Sequence, residues 1–184
     1  ANTAQAVCRV FLARVRVVAR RGTLASMTYP TATIETDRGA ITVELWDDVA
    51  PNHAKNFLDL ARDEFYDGVI FHRIIPGFVI QGGCPDGTGT GGGPRRLQAE
   101  FNDREHHPGV LSMARSADPN SASSQFFICL TRDHCQHLDN EYTAFGKVTE
   151  GMDVVKDIAA SEVEPNSGRP VGDPPHMVKV RVVE

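Results

Sequence analysis

Acidic residues are missing from the start of this chain: none occurs between Ala1 and Thr33, and the first is Glu35. Cysteine is sparse. Cys8, Cys84, Cys129 and Cys135 are the only four, and no two form a C-x-x-C pair, which argues against a disulfide scaffold in a chain of this length. Free thiols in a reducing compartment are the expectation. No apolar run reaches the roughly 18 residues of a membrane helix, so a soluble chain without membrane association is expected. Basic residues are outnumbered, 19 Lys and Arg against 24 Asp and Glu, for a formal net charge of -5. That balance argues against a sequence-independent grip on nucleic acid and against an anionic membrane surface as partner. Internal repeats, low-complexity tracts and linkers dividing the chain are also lacking.

What is present is one domain's worth of alternating pattern. The 184 residues are 41% hydrophobic and 23% charged, ordinary for a globular domain with its own core. Arg9, Arg14, Arg16, Arg20 and Arg21 punctuate the acid-free start, as in an organelle transit peptide. The plainer expectation is an extension outside the fold, with Met27 a candidate true start. Residues 1–30 are therefore set apart from a domain at 31–184, and a cytoplasmic location is expected, or an organelle if 1–30 act as a transit peptide.

From Thr31 the chain becomes orderly. Ile34 and Thr36, then Asp37-Arg38-Gly39, then Ile41, Val43 and Leu45 alternating with Thr42 and Glu44, predict two strands joined by a hairpin turn. Ala54, Phe57, Leu58 and Ala61 form one helical stripe behind Pro51, which suits a first turn. Strands are predicted at 69–74 and 78–81, and the glycine-rich 82–93 reads as an irregular loop. Further strands are predicted at 109–114, 125–130 and 142–148. A second helix is predicted on Met152, Val155 and Ile158, and a last strand on Val178, Val180 and Val182. Helices do not alternate with strands, so a mainly β fold is expected, an antiparallel sheet closed on itself with helices at its ends.

Chemistry concentrates in Phe71-His72-Arg73-Ile74-Ile75-Pro76-Gly77-Phe78-Val79-Ile80-Gln81-Gly82-Gly83. In a strand running through it, Phe71, Arg73 and Ile75 share one face. An arginine among apolar neighbours must be paired in an ion pair or serve a function. This stretch resembles the signature of the cyclophilins, a family of peptidyl-prolyl cis-trans isomerases. Further similar motifs follow in order: Gly109-Val110-Leu111-Ser112-Met113-Ala114, Ser124-Gln125-Phe126-Phe127-Ile128 and Phe145-Gly146-Lys147-Val148. The resemblance runs from Thr31 to the C-terminus. The loop from Met113 to Ser121 is similar to that of bacterial-type members, and the first thirty residues have no counterpart.

The resemblance implies a closed antiparallel eight-stranded β-barrel capped by two α-helices, an isomerase acting on X-Pro bonds, and a role in protein folding. It implies no cofactor and no metal. Its partners would be proline-containing peptides and unfolded proteins, and the chain a monomer. By the same resemblance Arg73, Phe78 and Gln81 are catalytic. Arg73 would donate a hydrogen bond to the proline nitrogen as it pyramidalises, and Gln81 would hold Arg73 or the substrate backbone. Phe78, Val79, Phe127 and Leu138 would form the pocket for the proline ring. Ala114, Arg115 and Gln125 would line the groove for preceding residues, with the Arg115 backbone pairing to substrate. His137 and Tyr142 complete the binding set, and both depart from the family: a Trp is usual at the first position and a His at the second. Without the Trp, weak binding of cyclosporin-like drugs is expected.

The barrier to prolyl rotation, about 18–20 kcal/mol, comes from amide resonance. Rotation therefore needs no nucleophile, metal or general base, only an interaction stronger in the twisted amide than in the planar one. The alternative function is a non-catalytic module that binds proline motifs in the same groove. Gly87-Thr88-Gly89-Thr90-Gly91-Gly92 formally matches a dinucleotide motif, but Gly93-Pro94 opens no helix there. His134, Cys135 and His137, with Cys129 upstream, match no established zinc spacing. Phe126, adjacent to Phe127 on the same strand, is expected in the core.

Overall fold

The computed structural model describes residues 28–183. The expected extension at 1–30 thus falls almost wholly outside the described residues, as does Cys8. Eight strands make one antiparallel sheet: β1 (Thr31–Thr36), β2 (Gly39–Leu45), β3 (Arg73–Ile75), β4 (Val79–Gly82), β5 (Val110–Met113), β6 (Phe126–Cys129), β7 (Ala144–Glu150) and β8 (Met177–Val183). Their order is β3-β4-β6-β5-β7-β2-β1-β8. The fold is mainly β and the sheet an open half-barrel, with β3 and β8 at its two edges. Near those edges the chain ahead of β3 meets the start of β8: Gly68 N–H donates to Met177 C=O, Met177 N–H to Val69 C=O and Phe71 N–H to Pro175 C=O.

The predicted hairpin forms, with Thr36 opposite Gly39 and Gly39 at φ +137. Period-2 patterning fixes which side is core: Ala32, Ile34, Ile41, Val43 and Leu45 are all fully buried. Helix α1 (Pro51–Arg62) buries Ala54, Phe57, Leu58 and Ala61, the predicted stripe. Phe57 is the hub of an aromatic cluster, with ring centroids 5.1 Å from Tyr66, 5.3 Å from Phe126 and 5.8 Å from Phe145. The helix lacks a side-chain cap at Ala50. Glu100, distant in sequence, accepts from the Asn52 and His53 N–H groups at 3.1 and 3.0 Å and neutralises that terminus instead.

The second predicted helix is present at Met152–Ala159 (called α3, since a one-turn α2 at Arg132–Cys135 precedes it). Two 3-10 turns, Pro119–Ser121 and Gln136–Leu138, add to the helical content. The strand expected over 69–74 is displaced: only Arg73–Ile75 pairs as a strand, and Phe71 and Ile74 both lie in the core. The expected sharing of a face by Phe71 and Arg73 therefore fails. The chain at Phe71 is bonded to Pro175 rather than to β4, which rotates it out of register with Arg73.

Candidate active site

Strand register assembles the site. Arg73 lies opposite Gln81, Gln81 opposite Phe127, and Phe127 opposite Ser112, so β3, β4, β6 and β5 contribute one row. Adjacent strands sit about 4.8 Å apart, which makes each member of the row a neighbour of the next. The alternate residues Ile74, Ile80, Ile128 and Leu111 face the main core. Phe126 goes with them, whereas Phe127 joins a separate apolar cluster of Val79, Cys129, Cys135 and Leu138. Phe78, Ala114 and Tyr142 pack against that cluster.

This second cluster is the floor of an open hollow of about 440 Å³. Its walls are Arg73, Phe78, Val79, Gln81, Ala114, Arg115, Phe127, His137, Leu138 and Tyr142. All sequence-predicted site residues except Gln125 thus meet in one place. His137 tilts against Phe78 with centroids 5.6 Å apart, and Tyr142 meets Phe127 edge-on at 5.8 Å. The Arg115 guanidinium lies over the Tyr142 ring at 4.5 Å and donates to the Glu141 carbonyl. Among the described residues neither the N–H nor the C=O of Arg115 has a partner, which leaves both open to a peptide along the groove. Trp46 lies elsewhere, buried with Val110 and Ala144.

Arg73 is in no ion pair among the described residues. Its side chain has one fixed bond, from Nη1 to Gln81 Oε1 at 3.2 Å. Gln81 Nε2 in turn donates to Gln125 Oε1 at 3.0 Å. Gln125 Nε2 donates to the Gly89 and Gly91 carbonyls at 2.9 and 2.7 Å. Because both amide hydrogens of Gln125 are taken by the loop, its oxygen must face Gln81, and the Gln81 oxygen must face Arg73. A guanidinium has five donors and no acceptor. One donor is held by Gln81, and the rest of the fork is left beside the apolar hollow.

The far wall is held from behind. Asp139, next to Leu138, accepts from Arg132 at 2.6 Å and from the His106 N–H and Nδ1 at 2.8 and 2.9 Å. The Arg132 bond and those from His106 hold its carboxyl well below the usual carboxylate range. His106 is fully buried and stacks on Phe127 with an interplanar angle of 21°. Its Nε2 meets Ser112 Oγ at 2.9 Å, so Nδ1–H donates to Asp139 and Nε2 accepts from Ser112. Desolvation lowers the His106 pKa against the pull of Asp139. The turn Pro76-Gly77 is pinned by Thr131 Oγ1 on the Gly77 carbonyl at 2.6 Å.

A family model for the cyclophilin type peptidyl-prolyl cis-trans isomerases matches residues 31–182, which contain every residue lining the hollow. The chain belongs to that family. It is similar to the peptidyl-prolyl cis-trans isomerase of Synechococcus elongatus, 47% identical over 129 residues, 69% of this chain and 87% of the relative. Isomerase B of Bacillus subtilis is 45% identical over 129 residues, 69% and 88% of the two chains. A cyclophilin type isomerase of Cryptosporidium parvum superposes with a TM-score of 0.79 at 32% identity, covering 85% of this chain and 98% of that one. The same parasite protein, solved in the presence of the dipeptide Ala-Pro, superposes at 0.78 with 32% identity, over 84% and 99% of the two chains. As in its relatives, the activity is peptidyl-prolyl cis-trans isomerisation.

Gln125 stands apart from the hollow and lines an adjoining cavity. His134, Cys135 and His137 diverge: His134 meets Thr131, Cys135 is buried with Sγ on the Phe78 carbonyl at 3.4 Å, and His137 faces Phe78. Among the described residues no three His, Cys, Asp or Glu side chains converge as metal ligands. Sequence reasoning missed His106, Ser112 and Asp139. These are polar residues scattered among apolar ones, with no spacing to join them.

Proposed function

We propose that the hollow seats the proline ring of an X-Pro peptide on Phe78, Val79, Phe127 and Leu138, while Arg73 donates a hydrogen bond to the prolyl nitrogen during rotation. The observation that carries this is a half-buried guanidinium without a carboxylate partner among the described residues, tethered by Gln81 at the lip of an apolar cavity. In the planar amide the nitrogen lone pair is delocalised and accepts poorly. In the twisted amide it is localised and accepts well. A donor placed there therefore lowers the barrier instead of merely tightening binding. Uncatalysed rotation takes about 10–100 s. Millisecond turnover requires a barrier lowered by roughly 6–7 kcal/mol. That total is shared between the Arg73 bond, the apolar seat and the exclusion of water from the amide.

The Arg115 backbone pairs with the substrate on the N-terminal side of proline. Ligands are proline-containing segments of peptides and unfolded chains, which makes the protein a folding helper. The Ala-Pro present with the parasite relative supports that class of ligand. Cyclosporin-like macrocycles bind weakly, since His137 offers less apolar surface and a different donor than an indole. The large apolar side chains left exposed among the described residues are Phe101, Val171, Val178 and Val183, which supports a monomer. The three cysteines among the described residues are buried and unpaired, which supports a reducing compartment such as the cytoplasm. Closure of the half-barrel would run through the chain ahead of β3 and not through strand pairing, a reading supported by the backbone bonds that join Gly68–Phe71 to Pro175–Met177.

Exchange NMR on an Ala-Pro peptide with catalytic amounts of protein tests this reading. Wild type should broaden the cis and trans signals, and Arg73→Ala should lose the broadening while keeping peptide affinity. Wild type that binds peptide without enhancing exchange would instead make the domain a proline-binding module.

A further inference from the structure

The edge strand β3 is covered. The turn that follows α3 folds against it, and Ile74 N–H donates to the Gly168 carbonyl at 2.7 Å. Within that turn Val163 bridges to Pro170. Glu164 N–H donates to the Arg169 carbonyl at 2.8 Å, and Gly168 N–H to the Glu164 carbonyl at 2.9 Å. Gly168 has φ +69, and a Cβ there would sit 2.7 Å from the Ile74 carbonyl oxygen, so only glycine lets the turn lie flush on the strand. Covering the edge takes backbone bonds alone. Here the turn also stands as a wall, and it encloses a hollow of about 160 Å³ between itself and β3.

This hollow and the proline seat share Arg73, which lines both and stands between them. Its apolar surface comes from Ile75 and Pro76 on the strand side and from Val163 and Pro165 on the turn. Its charged walls are Arg73 and Glu164, one of each sign. The Glu164 carboxylate accepts from Ser167 Oγ at 2.6 Å, which ties it to its own turn. A cation entering would meet the Arg73 guanidinium, and an anion would meet Glu164. The complement to these walls is an uncharged aliphatic side chain.

Sheet order gives the direction of the substrate. Residues before proline lie along Ala114 and Arg115, at the end of β5, and the proline ring rests on Val79 of β4 and Phe127 of β6. With strands ordered β3-β4-β6-β5, the chain after proline leaves over β3. From the seat to β3 is one to two strand spacings, about 5–10 Å. In an extended peptide, side chains two residues apart point the same way and lie about 6.6 Å apart. The second residue after proline therefore turns its side chain to the sheet at the hollow beyond Arg73. We propose that this hollow selects an aliphatic side chain on the second residue after the substrate proline, with Val163 and Pro165 as the specificity-determining residues. The inference rests on the isomerase reading of the groove and adds a preference on the far side of the reacting bond.

The test uses the peptides acetyl-Ala-Ala-Pro-Ala-Xaa-amide with Xaa as Leu, Gly, Lys or Asp, and reads catalysed exchange by NMR. The Leu peptide should exceed the Gly peptide in kcat/KM by about fivefold, the effect of removing roughly 40 Å² of apolar surface from water. The Lys and Asp peptides should stay close to Gly. Val163→Thr keeps the shape and adds a hydroxyl. Pro165→Ser changes an exposed position and spares the fold. Each should lower the Leu-to-Gly ratio, and the double variant should bring it close to one. Because the ratio is taken within each variant, a general loss of activity cancels. The methyl signals of Val163 should shift on adding the Leu peptide and stay in place with the Gly peptide. Equal Leu and Gly rates in wild type, or a ratio that survives in the double variant, overturns the proposal. A Lys or Asp peptide ahead of Leu overturns it too, and assigns the hollow to Glu164 or Arg73 as a charge reader. If no peptide is turned over, the isomerase reading fails separately. Kd ratios for the same four peptides, from chemical-shift titration, then decide the preference by the same criteria.

Discussion

The Gln125 side chain, which never touches the proline hollow, fixes which atom Gln81 presents to Arg73. Its two amide hydrogens are consumed by the Gly89 and Gly91 carbonyls, so its oxygen accepts from Gln81 at 3.0 Å. Gln125→Glu keeps the shape but cannot donate to those carbonyls, and it places negative charge two steps from the guanidinium. Gln125→Leu removes both ends of the relay. Either change should lower kcat/KM by about 5–10-fold, the worth of one net hydrogen bond of roughly 1 kcal/mol or slightly more. The direct losses are larger. Arg73→Ala should cost about 100-fold, as for a charged hydrogen bond of roughly 3 kcal/mol. Arg73→Lys should recover little of it, because an ammonium cannot bond Gln81 and the substrate in the same planar fork. Exchange rates for the four variants on one Ala-Pro peptide check the order.

Phe127 has two functions that mutation can separate. It floors the proline hollow on one side and stacks on buried His106 on the other, with centroids 6.4 Å apart. Phe127→Ala should destabilise the fold by about 3–5 kcal/mol through the cavity it leaves. His106→Ala leaves Phe127 in place but removes its backing, and strips partners from Ser112 and Asp139. Its expected signature is a rise in KM for Ala-Pro peptides together with a loss of stability. His106→Gln, which can still bond one of the two partners, should recover part of both. Unaltered kinetics in folded His106→Ala would show that the stack does not position the ring.

Two glycines with positive φ should respond very differently to alanine. Gly151 (φ +86) precedes α3, and a Cβ there would collide with the Ala40 carbonyl oxygen of β2. Gly68 (φ +75) has nothing within 4 Å of the corresponding position. Gly68→Ala pays only the left-handed backbone term, about 1–2 kcal/mol. Gly151→Ala adds displacement of a sheet strand, and should exceed it by at least about 1 kcal/mol. Urea midpoints of the two variants measure the difference.

Much of the fold is legible in the sequence where burial has a period. Ile34, Ile41, Val43 and Leu45 declare their face by alternation, and Phe57 declares its own by helical spacing. Phe126 and Phe127 separate into core and site because neighbours on a strand face opposite ways. What alternation cannot supply is pairing across the sheet. Arg73 meets Gln81 across the short turn Pro76-Gly77-Phe78, but that Gln81 meets Phe127 depends on register between strands joined by a long stretch of chain. Phe71 leaves the expected face because its N–H is claimed by Pro175, from near the other end of the chain. One-turn α2 is too short to show a period. The Glu100 cap on α1, and the His106–Asp139 pair behind the hollow, join residues distant in sequence. Arg95 and Arg96 look alike in sequence, and only the folded chain gives one a carboxylate and leaves the other facing a cavity.

Acid should unfold this protein in two steps with different owners. His53, His72 and His106 are all buried, and desolvation is the largest influence on each, lowering its pKa from the usual 6.5. The unfolded chain therefore binds protons at these sites before the folded one does. Their contribution to stability is complete above about pH 6.5 and is lost as pH falls from there through the lowered folded values. The carboxyls act further down. Glu100 is pushed up by burial but more strongly down by its bonds from His53 and Asn52, and Asp139 is held down by Arg132 first and then by His106. Their stabilisation is present above about pH 4, and is lost as pH falls through their depressed folded values. Urea midpoints between pH 7.5 and 5 should fall in wild type. In His106→Gln or His53→Gln they should start lower and fall less steeply, since the variant has one fewer buried imidazole to protonate. Equal slopes in wild type and both variants would assign the acid response to the carboxyls alone. Isomerase activity per folded molecule should also fall over that range. Protonated His106 donates from both nitrogens, so the Ser112 hydroxyl must turn away, and the backing of Phe127 loosens before the fold as a whole gives way.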